Sequence, residues 1–300
     1  MMKRLLFICL SIGLSVALHA QQKVQVVTKT IRQDLKQVLD SGLVVTGRKA
    51  EVEITGWNKD YIQIELDLIA KHPKKKIAEE ELAYIQYSIV KKGQHYELKN
   101  RFFSTTNKIK VRSQLSVVYR IFLPTNQRVK ISNDYGPLYL RNLYGELSID
   151  AKFSEVFMER FFGTLNAKLD YSEIDAKNLD GQLNFELTHT NVLLNQFAGD
   201  VTFNNRLGDL ELYPSPMLQS LNVNSRSGKV ELFVDAFDAF NYDVQVNSSY
   251  ISLPKAGSRM VKVDELTNEH SFKLSNGVSR ANIKIMNMLN PVRILVSNED

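Results

Sequence analysis

Four glycines, Gly145, Gly163, Gly181 and Gly199, stand 18 residues apart and divide the middle of this 300-residue chain into segments of equal length. The segments read ELSIDAKFSEVFMERFFG, TLNAKLDYSEIDAKNLDG and QLNFELTHTNVLLNQFAG, followed by the looser DVTFNNRLGDLELYPSPM. Each divides again into two nonamers. The second position of successive nonamers reads Leu147, Val156, Leu165, Ile174, Leu183, Val192, Val201 and Leu210. The fourth reads Ile149, Met158, Ala167, Ala176, Phe185, Leu194, Phe203 and Leu212, and the ninth is Gly, Ser or Thr until Met217 breaks the pattern. A fixed repeat of this kind must be settled first, because it decides the architecture.

Apolar residues two apart place one face of a short strand inward. A small residue at a constant place lets the chain turn. Two strand-and-turn units per 18 residues make one coil, and coils stack through parallel hydrogen bonds. The two halves differ. The first is expected to turn positions 2, 4, 6 and 8 inward (Leu165, Ala167, Leu169, Tyr171), and the second positions 2, 4 and 7 (Ile174, Ala176, Leu179). Charge offers an independent check, since stacked coils make neighbours of residues 18 apart. Asp150, Lys168 and Glu186 then alternate in sign, Lys152 meets Asp170, and Glu159 meets Lys177. Opposite charges side by side on a sheet contribute a few tenths of a kcal/mol. Glu155 over Glu173 is the exception.

The reading is therefore all-β: a parallel β-helix or β-roll solenoid of 18-residue coils, with one short α-helix in the N-terminal third. The pattern runs on upstream through VKISNDYG and PLYLRNLYG. Downstream it continues in LNVNSRSGKVELFV, YDVQVNSSYISLP and a last coil, ANIKIMNMLNPVRILV, after a polar excursion near residues 254–280. Residues 43–69 read as two strands around a turn at Gly56–Asp60, with further strands near 87–91, 94–99 and 115–123. The helix falls in IAEEELAYIQY, residues 77–87, where Ile77, Ala78, Leu82 and Ile85 recur at helical spacing. A solenoid has an open apolar end that needs covering, and this helix is the natural cap, or a lid over an outward apolar face.

The first 20 residues have the pattern of a secretory signal: Lys3 and Arg4, an apolar run, and Ala20 at a cleavage point before a polar stretch. The expected organisation is a leader at 1–20, a β-rich segment with the helix at 21–123 (the first coils and the cap), and solenoid repeats at 124–300. Segments 21–123 and 124–300 would form one continuous domain. Removing the leader takes Cys9, the only cysteine, and leaves 36 basic against 33 acidic side chains. So mild a balance does not point to nucleic acid, and no later apolar stretch is long enough to span a bilayer. The expected location is outside the cytoplasm: periplasmic, cell-surface or secreted.

A search for chemistry finds no catalytic, cofactor-binding or metal-binding set. His72, His95, His189 and His270 have no metal-ligand spacing, and His189, at position 8 of its nonamer, is expected in the core. The turns lack the recurrent Asp of calcium-binding nonamers. No GxSxG is present, and Glu155, Glu173 and Asp175 read as solvated charges. One outward column reads Tyr139, Phe157, Asp175, Leu193 and Glu211, and its apolar members Tyr139, Phe157 and Leu193, joined by Tyr144 and Phe162, make a candidate binding surface. Contiguous exposed apolar area marks an interface, unless the chain's own helix covers it, which is the expectation here. A basic run (Lys91, Lys92, Lys99, Arg101, Lys108, Lys110, Arg112) suits anionic polymers, but is read first as a solvated strand face.

The order of a leader, GWNKDYIQIE, a short helix, IFLPTNQRVKISNDYGPLYL and glycine-punctuated coils resembles the bacterial DUF4097 family, described as "putative adhesins". The resemblance covers the whole chain after the leader. It implies an all-β solenoid of the cell envelope with no catalytic residues and no cofactor. The expected role is thus a non-enzymatic adhesin, or an envelope scaffold or binding module, meeting an envelope protein, a glycan or a lipid. Two alternatives remain: an accessory of envelope-stress signalling, and a β-helical enzyme acting on polysaccharides through Glu173 and Asp175.

Overall fold

The computed structural model describes residues 23–36, 42–103, 110–277 and 280–297. The expected leader and Cys9 lie outside them, as does Lys108. The chain is mostly β, with one short helix and a large mixed sheet whose pairings are largely parallel.

The central strands are β9 (Leu138–Lys152), β10 (Glu155–Asp170), β11 (Glu173–Thr188), β12 (Asn191–Asn205) and β13 (Leu210–Ser225). They pair in parallel with an offset of 18. Leu147 lies beside Leu165, Leu165 beside Leu183, and Leu183 beside Val201. Between β12 and β13 the offset grows to 20, so that Val201 faces Leu221. The two residues enter near Pro214–Met217, where the repeat falters in the sequence. Each long strand contributes to two columns of pairing. Its first part extends the column that holds β3 (Ala50–Trp57), and its second part extends the column that holds β8 (Arg128–Asp134). Leu147, Leu165, Leu183 and Val201 from one column share a single core with Val156, Ile174, Val192 and Leu210 from the other. That interior requires one apolar side chain at every second position.

The glycine column holds because nothing else fits. At Gly163, Gly181 and Gly199 the φ angles are +138°, +123° and +77°, and a Cβ would stand 2.1, 2.0 and 2.2 Å from the carbonyl oxygen of the preceding glycine in the column. At the opposite corner the sequence reading needs correction. Tyr171 and His189 are exposed, and the buried residues are Ser154, Ser172 and Thr190. Phe153, Tyr171 and His189 have φ of +51°, +47° and +49°. One left-handed residue reverses the in–out alternation, sending position 8 outward and position 9 inward. The buried hydroxyls are satisfied locally: Ser154, Ser172 and Thr190 each donate to the carbonyl two residues back, at 3.0, 2.9 and 3.0 Å.

Both ends of the stack depart from chain order. β2 (Gly42–Arg48) pairs between β6 (His95–Phe102) and β8, and β3 pairs between β7 (Gln114–Pro124) and β9. At the other end, β19 (Asn282–Asn287) lies between β13 and β15 (Asn241–Asn247). Likewise β20 (Val292–Val296) lies between β14 (Val230–Val234) and β16 (Ile251–Ser252). The segment expected as the last coil is thus an interior one. The excursion before it includes β17 (Lys262–Asp264) and β18 (Glu269–Leu274), and β18 pairs antiparallel with the outer edge of β15.

In the N-terminal third, residues 43–69 give three strands, because Lys49 adopts φ +47° and divides β2 from β3 before β4 (Tyr61–His72). A further strand, β1 (Gln25–Lys36), pairs antiparallel with β4, and β5 (Ile85–Lys92) with β6. The helix α1 (Lys75–Glu81) is shorter than the pattern suggested. Leu82–Tyr84 form a 3-10 turn, and Ile85 already belongs to β5. Helix α1 packs on β1 and β4, burying Ala78 and Glu81. Glu81 accepts hydrogen bonds from the backbone N–H of Ser113 (2.6 Å) and Arg112 (3.0 Å), and from Arg112 Nε (3.2 Å).

Candidate binding face

The outward side chains of the β3-containing column stack as the strands do. Tyr139 and Phe157 lie ring on ring at 5.1 Å and 7°, both half-buried. The same column continues through Asp175 to Leu193. Tyr144 and Phe162 stand in register at the neighbouring corner and are exposed. Helix α1 packs on β1 and β4, not on this patch. Tyr139, Phe157 and Leu193 share one column, in which Asp175 separates Phe157 from Leu193.

The surroundings of the patch are more acidic than a list of its aromatics suggested. Phe157 and Leu193 line a shallow groove of about 400 Å³ with Glu155, Glu173, Asp175, Asp209 and Glu211, and with Lys229 and Glu231, which pair with each other at 2.9 Å. The carboxylates of Glu155, Glu173 and Asp175 have no ion pair among the described residues, although Glu155 and Glu173 are strand neighbours. Other carboxylates on this column are compensated. Arg120 bonds Asp67 at 2.7 Å and Glu65 at 3.2 Å, and Lys177 meets Glu159 at 3.5 Å as the repeat required. Burial alone would raise the Asp67 carboxyl, but hydrogen bonds from Thr30 and Arg120 outweigh it and hold the group below its ordinary value.

The sequence reading missed a second aromatic feature. Tyr135, Phe153, Tyr171 and His189 form one ladder at the corner beside the groove, with centroids 4.9, 5.3 and 4.2 Å apart and planes within 12°. The only signal was a ring-bearing side chain recurring one place before Gly, Ser or Thr. The left-handed backbone turns these rings to solvent, where their faces are used by one another and their edges are presented outward. Three of the seven residues of the basic run have partners among the described residues. Lys92 pairs with Glu97, Arg101 bonds Gln86, and Arg112 bonds Glu81.

The arrangement can hold a partner along an open face. Among the described residues no group of three His, Cys, Asp or Glu is placed to hold a metal ion, and no helix is long and apolar enough to cross a membrane.

No family model matches the chain, and no curated protein matches it. Solved structures do align over most of its length. A "putative adhesin" from Parabacteroides merdae has 12% identity and a TM-score of 0.46, covering 90% of this chain and 96% of that one. One from Parabacteroides distasonis has 11% identity and a TM-score of 0.46, covering 90% and 97%. A "putative lipid binding protein" from the same species has 10% identity and a TM-score of 0.31, covering 89% and 96%.

Proposed function

We propose that this chain is a non-catalytic binding module of the cell envelope, an adhesin-like β-solenoid of the kind the DUF4097 resemblance implies. In this reading α1 caps the N-terminal end, and the protein is exported before it folds. The observation that carries the proposal is the open groove, where Phe157 and Leu193 stand among unpaired carboxylates on a face built from stacked, hydrogen-bonded strands. Such a face is rigid, so a partner gains contacts without the protein losing much freedom. Acidic groups along the groove favour a partner that brings positive charge to the apolar residues. Glu173 and Asp175 are both exposed in the open groove, which favours binding over the enclosed pair of carboxylates that glycoside cleavage uses.

The test is a screen of the purified protein against envelope glycans, lipid vesicles and envelope proteins, repeated with Phe157→Ser and Leu193→Ser. Binding that is lost in both variants, with the melting temperature within a few degrees of the parent, is the expected result. Turnover of a polysaccharide that disappears in Asp175→Ala would overturn it.

A further inference from the structure

We infer that two copies of this chain join through β1, edge to edge and antiparallel, about a two-fold axis passing through Gln33. Strand β1 is 12 residues long and pairs on one side only, with β4. Among the described residues no strand lies along its other edge. An unpaired edge of this length is a template for another strand, and natural proteins ordinarily blunt or cover it. Its two faces are distinct. The odd-numbered Val27, Ile31 and Leu35 pack toward the core. The even-numbered Thr30, Arg32 and Asp34 face Asp67, Glu65 and Gln63 across the β1–β4 pair.

A two-fold axis perpendicular to a sheet keeps each side chain on its own face, so odd residues must meet odd and even must meet even. Centring the axis on Arg32 sets Arg32 against itself. Centring it on Asp34 opposes the two aspartates and sets Arg32 against Lys36. An axis through Ile31 brings no charged pair together. With the axis at Gln33, Arg32 meets Asp34 of the second copy and Asp34 meets its Arg32, while Ile31 meets Leu35 twice on the inner face. Lys36 then lies opposite Thr30, so no like charges oppose one another over residues 30–36. The groups are available. Arg32 is highly exposed and uses only Nε, at 2.7 Å, to hold Glu65, which leaves its terminal nitrogens free. Asp34 accepts one long bond from Gln63 Nε2, at 3.4 Å. The result is a single sheet running through both molecules.

The test uses sedimentation equilibrium on the purified protein and on Arg32→Asp and Asp34→Arg, each checked for an unchanged far-UV spectrum. The parent should dimerise, and each single variant should associate roughly tenfold or more weakly, because two attractive pairs become two repulsive ones. Mixing the two variants should restore the dimer, since every Arg then faces an Asp across the axis. A parent that stays monomeric at high concentration would overturn the inference. So would a dimer indifferent to both substitutions, or a mixture that fails to recover.

Discussion

Replacing Gly181 with Ala puts one methyl group where the stack leaves no room for it. The added Cβ would lie 2.0 Å from the carbonyl oxygen of Gly163 and 2.9 Å from its carbon, whereas ordinary contact begins near 3.4 Å. Relief needs a movement of well over an ångström between strands that are hydrogen-bonded to each other. The backbone adds its own cost, because φ is +123° and an L side chain is strained there. About 1–3 kcal/mol of strain and about 1–3 kcal/mol of overpacking give a destabilisation of roughly 2–6 kcal/mol. At roughly 2–4 °C per kcal/mol for a chain of this order of size, the melting temperature should fall by about 10 °C. Gly93→Ala is the matched control, since Gly93 also has positive φ (+58°) but nothing lies within 4 Å of the new Cβ. It should cost only about 1–2 kcal/mol. Gly145→Ala falls between them, with φ +119° and a nearest contact of 3.4 Å. Scanning calorimetry on the three variants decides the matter. Equal shifts for Gly181→Ala and Gly93→Ala would show that the glycines serve backbone freedom alone, and the close-stacking account would fail.

Glu81 should make stability depend on acid. Burial pushes its carboxyl up, but the bonds from Ser113 and Arg112 pull harder and hold it below the usual carboxylate value. A group lowered in the folded state contributes above its unfolded pKa, and that contribution fades as pH falls through the lowered value. Melting temperature followed from pH 7 down to pH 3 should therefore drop less steeply in Glu81→Gln, which starts from a lower value at neutral pH. In the aromatic ladder, Tyr171→Ala should be less stable than Tyr171→Gly. Both lose the rings of Phe153 and His189, but only Gly accepts φ +47° without strain. Thermal denaturation that ranks Ala above Gly would contradict the left-handed corner.

The glycine spacing and the inward columns were legible because each coil repeats one local problem, a strand that must bury every second residue and then turn. Position 8 was not. A single left-handed residue inverts the alternation, and no side chain at Tyr171 or His189 announces that backbone state. Strand β1 escaped notice for a related reason. Its inward residues Val27, Ile31 and Leu35 are four apart, a helical interval, and only pairing with β4 makes it a strand. The candidate face was half readable. Its aromatics could be assigned outward from the period, as could Asp175 and Glu211 in the same column, but Lys229 and Glu231, which also line the groove, lie beyond the regular repeats. The stacking order at both ends was not readable, because coils with the same inward pattern are interchangeable as far as spacing goes.

That order sets a timetable. Residues 282–296 follow β13 to β16 in the chain, yet they separate β13 and β14 from β15 and β16 and are bonded to both. Until they arrive, the outermost layer has no parallel neighbour to rest on, and the stack cannot be completed at that end. Docking of β15 and β16 onto the stack therefore waits on a segment that comes after them in the chain.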